Sequence, residues 1–107
     1  MNEIMKVKEI VSYQNQAIVS KTLIEKETGT VTIFAFDQDQ ALSEHTAPFD
    51  ALVEVIDGQA EIRIDGIPHQ LNEGDMMVMP AHQSHALKAL MPFKMLLTMI
   101  RSENKKR

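Results

Sequence analysis

The chain has 107 residues, 44% of them apolar and 24% charged, the composition of one globular domain. No apolar run approaches the roughly 20 residues of a membrane-spanning helix, and the absence of cysteine excludes disulfide frameworks, thiolate nucleophiles and Cys-ligated zinc. The formal net charge is −4, and residues 1–100 carry seven positive and fourteen negative groups, a balance that repels phosphate backbones and argues against nucleic-acid partners.

The N-terminus, Met1-Asn2-Glu3-Ile4-Met5-Lys6, has neither the basic start nor the apolar stretch of a secretory signal, so a cytoplasmic location is expected. Lys6–Val11 has no decisive period, whereas Ala17–Glu27 reads as extended. Within it, Ala17-Ile18-Val19 to Leu23-Ile24 would offer an edge strand to a second copy, and a homodimer is expected. Residues 1–29 are therefore assigned to N-terminal strands and a subunit contact.

Thr30–Phe36 and Ala51–Ile56 are rich in β-branched and aromatic residues and read as strands. Asp57-Gly58 and Asp65-Gly66 mark tight turns. Between them Ala60, Ile62 and Ile64 alternate with Glu61, Arg63 and Asp65, the pattern of a half-buried strand. The faces Ala51/Val53/Val55 and Ala60/Ile62/Ile64 should turn inward, leaving Glu54, Glu61 and Arg63 outside. His69, beyond the second turn, is expected at the surface.

Met76, Met77 and Met79 share a predicted strand after Gly74, and Met91, Met95 and Met99 lie on or beside the last one. Their unbranched thioethers suit a pliable core, a subunit contact or an adaptable pocket. Ala81–Met91, bracketed by Pro80 and Pro92, reads as a strand. Residues 30–100 form the barrel, and 101–107 make a solvated basic tail. The whole chain, 1–107, is thus read as one all-β domain.

Without cysteine, any transition-metal site must use imidazole or carboxylate ligands. His45 precedes the Ala51–Ile56 strand and His85 opens another, so the two can converge inside a barrel. They can equally form a hydrogen-bonded pair that gives an apolar cavity its polar contacts. Ser43 and Ser84 adjoin them, but neighbouring strand residues face opposite ways, so neither is a nucleophile.

The order of these pieces resembles the small single-domain cupins, whose motifs read G-x5-H-x-H-x(3,4)-E-x6-G and G-x5-P-x-G-x2-H-x3-N. His45 and Gly58 match the first motif; Gly74, Pro80 and His85 match the second. The resemblance implies a double-stranded β-helix, a jelly-roll-like barrel. The departures fall on the functional positions. Asp39 replaces the opening glycine, Ala47 the second histidine, Ala51 the glutamate, His82 a glycine and Ala89 the final asparagine. Of the iron or manganese ligand set that the resemblance implies, only His45 and His85 are left, with His82 as an imidazole that an inward-folded loop would add.

Two functions follow from this pattern. The first is binding of a small molecule in the barrel interior, with His45, Phe49, Val53, Ile62, Met76, His82, His85 and Leu87 as candidate contacts. Here Phe49 and Met76 refill the space that Ala47 and Ala51 vacate. The second is a metal-dependent enzyme (isomerase, lyase or oxygenase) in which His45 and His85 hold a weakly bound divalent zinc, nickel, manganese or iron.

Overall fold

Period-two alternation becomes sheet along nearly the whole chain. The computed structural model describes residues 3–102, so Glu103–Arg107 of the expected basic tail lie outside the described residues. Nine strands follow in order: β1 (Ile18–Lys26), β2 (Gly29–Phe36), β3 (Ala41–His45), β4 (Phe49–Asp57), β5 (Gln59–Ile64), β6 (Ile67–Asn72), β7 (Met76–Met79), β8 (His85–Ala89) and β9 (Phe93–Arg101). The undecided Lys6–Val11 segment contains a 3-10 turn at Val7–Glu9.

The strands form two antiparallel sheets, ordered β1-β2-β9-β4-β7 and β3-β8-β5-β6. Their inner faces meet in a jelly-roll-like barrel, as the resemblance implied. Val53, Val55, Ile62, Phe93 and Met95 are buried between the sheets. The Phe36 and Phe93 rings stack there with centroids 4.6 Å apart. Ala51, Ala60 and Ile62 face inward as the alternation requires, while Arg63 is exposed.

The two Asp-Gly turns do different work. Asp65-Gly66 closes the β5–β6 hairpin, with Ile64 paired to Ile67 and both loop residues at positive φ, +50° and +82°. Asp57-Gly58 instead carries the chain from one sheet to the other. A β-carbon on Gly58 would lie 1.9 Å from the Pro92 carbonyl oxygen, so only glycine fits that corner.

Sheet β1-β2-β9-β4-β7 is also buried on part of its outer face. Val11, Ile33, Ala35 and Ile56 form a second cluster there, beneath the segment that precedes β1. Its ties are polar: the Tyr13 hydroxyl donates to Asp57 Oδ2 at 2.6 Å, and the Gln16 N–H donates to Asp37 at 2.7 Å. Burial on both faces explains why the second half of β2, Ile33–Phe36, is apolar without a break.

Two local expectations need correction. Of Ala81–Met91 only His85–Ala89 is strand, because Asp50 accepts the Ala81 N–H and His82 turns left-handed at φ +69°. His69 is not a turn-side surface residue. It lies within β6, half-buried, with Nδ1 3.3 Å from the Ile62 carbonyl oxygen.

Candidate functional site

The site is made by a local irregularity. Strands β3 and β8 pair antiparallel with Leu42 opposite Leu87, and a regular ladder would then set Glu44 opposite His85. The register instead shifts between Leu42 and His45, which places His45 opposite His85. One extra residue on β3 thus turns the imidazole to the face already occupied by Leu42. The two rings meet edge to face, with centroids 4.3 Å apart and planes at 67°.

Each ring is held by a backbone carbonyl two residues upstream. His45 Nδ1 lies 2.7 Å from the Ser43 carbonyl oxygen, and His85 Nδ1 lies 3.3 Å from that of Gln83. A carbonyl only accepts, so each Nδ1 carries the proton and donates it. In the neutral form of either ring the Nε2 then presents a lone pair. His85 is buried, at 7% exposure, while His45 is exposed. Burial chiefly, and then the neighbouring His45, holds the His85 imidazole below its ordinary range; the Gln83 carbonyl acts in the opposite direction. His85 is accordingly neutral at neutral pH.

A cavity of about 60 Å³ opens beside the pair. Strands β3 and β8 contribute Leu42, His45, His85 and Leu87 to its wall. The opposite sheet supplies Phe49 and Ala51 from β4, Met79 from β7, and Met95, Leu97 and Met99 from β9, with Ala47 from the β3–β4 loop. The two imidazoles are the only titratable groups in this lining.

The expected contacts divide. His45, Phe49, His85 and Leu87 reach the cavity, while Val53 and Ile62 are fully buried in the core without lining it. Met76 does not refill the space. It is 56% exposed, because β7 pairs Met79 with Ala51 and Met77 with Val53, which sends Met76 and Val78 to the outer face. Met79, Met95 and Met99, three of the methionines suited to an adaptable pocket, line the cavity instead. A run of four apolar residues, Met76–Met79, carries no alternation from which its phase can be read.

His82 is also misplaced by the sequence reading. It is exposed, absent from the cavity wall, and its N–H donates to the Ala47 carbonyl oxygen at 2.9 Å. The donors near the cavity are therefore two imidazoles, and the side chains at Ala47 and Ala51 are methyl groups. Among the described residues no cluster of three or more histidine or carboxylate side chains is arranged to hold a metal ion. This donor set does not fit the iron or manganese ligands that the resemblance implies.

Residues 32–100 match the cupin domain family. The chain is 33% identical to a conserved protein of unknown function from Streptococcus pyogenes, covering 96% of this chain and 90% of that one with a TM-score of 0.92. It is 40% identical to a cupin 2 conserved barrel domain protein from Leptotrichia buccalis, with a TM-score of 0.85; the match covers 88% of this chain but only 46% of that longer one. A cupin superfamily protein from Desulfitobacterium hafniense shares the fold at 22% identity, with a TM-score of 0.88 over 96% and 94% of the two chains. No curated protein matches the chain. Among the described residues no helix is long and apolar enough to cross a membrane.

Proposed function

The chain belongs to the cupin domain family, and from that premise we propose that it binds a small molecule in the cavity beside His45 and His85. The observation that carries this reading is the cavity wall: methyl, thioether and aromatic groups around one pair of imidazoles. An apolar concavity with a few convergent polar groups is the general design of a small-molecule site. Its volume of about 60 Å³ is modest, but Met79, Met95 and Met99 have unbranched side chains that can repack around a guest.

A crystal soaked in a mixture of small apolar compounds tests the proposal. Ordered density against His85 and Met95 supports it. Density confined to the outer surface, with this cavity unchanged, overturns it.

The alternative, a metal-dependent isomerase, lyase or oxygenase, draws support from the two Nε2 lone pairs alone. Two neutral ligands without a carboxylate hold zinc, nickel, manganese or iron weakly, so the binding reading is preferred.

A further inference from the structure

The hydrogen-bonding polarity of the pair limits what the cavity can accept, and this step rests on the binding reading above. Both Nδ1–H groups are spent on backbone carbonyl oxygens two residues upstream. What His45 and His85 offer a guest is therefore two acceptors and no donor. The rest of the wall is hydrocarbon and thioether, with no lysine, arginine or carboxylate in it.

We propose that the pocket selects an uncharged molecule with an apolar body and one hydrogen-bond donor, a hydroxyl or an N–H, directed at an imidazole Nε2 of His45 or His85. A carboxylate or phosphate group would meet lone pairs rather than donors, and nothing in the wall would offset its desolvation. An ammonium group can donate, but it would enter an apolar wall with no anion to balance it. A guest of the same shape without a donor would shield the His85 Nε2 from water and leave it unmatched. Sites built around a hydrogen bond discriminate strongly against analogues that lack it.

Pyrrole, furan and propionate separate these cases. They are similar in size, and they present respectively an N–H donor, no donor and an anion. Each is titrated at pH 8 into protein carrying carbon-13 methionine methyls, with Met79, Met95 and Met99 as reporters and the exposed Met76 as control. Pyrrole should shift the three pocket methyls saturably. Furan should bind about tenfold more weakly or worse, and propionate should leave the methyls unmoved. In His45→Ala the pyrrole–furan difference should narrow.

Equal binding of pyrrole and furan, or tighter binding of propionate, overturns the selectivity while leaving pocket binding intact. If none of the three moves the pocket methyls, the binding reading itself falls, and the selectivity with it.

Discussion

His45 faces His85 across the β3–β8 ladder because β3 carries one residue more than its partner between Leu42 and that pair. Strict counting in steps of two along β3 gives Leu42 and Glu44 a common face. The bulge substitutes His45 for Glu44 there, so an acidic side chain is kept out of the cavity and an imidazole is admitted.

The same alignment predicts that a metal site can be built beside the pair. Ala47 and Ala51 both line the cavity beside the imidazole pair. Ala47→His with Ala51→Glu should create a divalent-metal site. The added volume should cost about 1–3 kcal/mol of stability in the apo form. Metal at about 1,000 times its dissociation constant should return about 4 kcal/mol. Calorimetric titration with zinc or nickel checks this; a folded double variant with no gain in affinity would show that these two positions do not share a coordination sphere with His45 and His85.

Stability should depend on pH through His85. Its folded-state pKa lies below the ordinary value of 6.5, so the unfolded chain takes up a proton first as pH falls. The neutral, buried form is fully favourable above about 6.5, and stability declines as pH drops below it. Urea unfolding between pH 8 and 5 should show that slope, and His85→Leu should flatten it. An unchanged slope in the variant would assign the dependence to another group.

Backbone geometry predicts a contrast between glycines. Gly58 has φ +79° and backbone within 2 Å of a would-be β-carbon, whereas Gly74 has φ +94° and open space around it. Gly58→Ala should cost about 3 kcal/mol or more, strain and clash together, and Gly74→Ala about 1–2 kcal/mol. Chemical denaturation of both variants measures the difference. Equal losses would mean the Pro92 corner yields easily.

Strand β1 forms one edge of its sheet, pairing with β2 alone among the described residues. We propose that its other edge pairs with a second copy, in which case light scattering should give twice 12.1 kDa at micromolar concentration. A 12.1 kDa particle under those conditions contradicts the dimer.

How far the site could be read from sequence depended on whether each strand displayed its phase. In β5, charged Glu61 and Arg63 between Ala60, Ile62 and Ile64 show which side faces in. In β7, four consecutive apolar residues hide it, and Met76 was placed inside in the position that Met79 holds. The β3 bulge left no compositional mark either; His45 reaches the cavity through a register shift that only pairing with β8 reveals. The outer cluster of Val11, Ile33, Ala35 and Ile56 was equally hidden, since it depends on a non-repetitive segment returning over β2 and β4. His45, Gly58, Gly74, Pro80 and His85 were legible all the same, because motif spacing rather than periodicity located them.

If the His45–His85 pair serves a small-molecule site without a metal, elemental analysis of untagged protein purified without chelators should find iron, manganese, nickel and zinc far below one equivalent, unchanged in His85→Ala. One equivalent of any of them, lost in His85→Ala while the variant stays folded, would make this barrel a metal site instead.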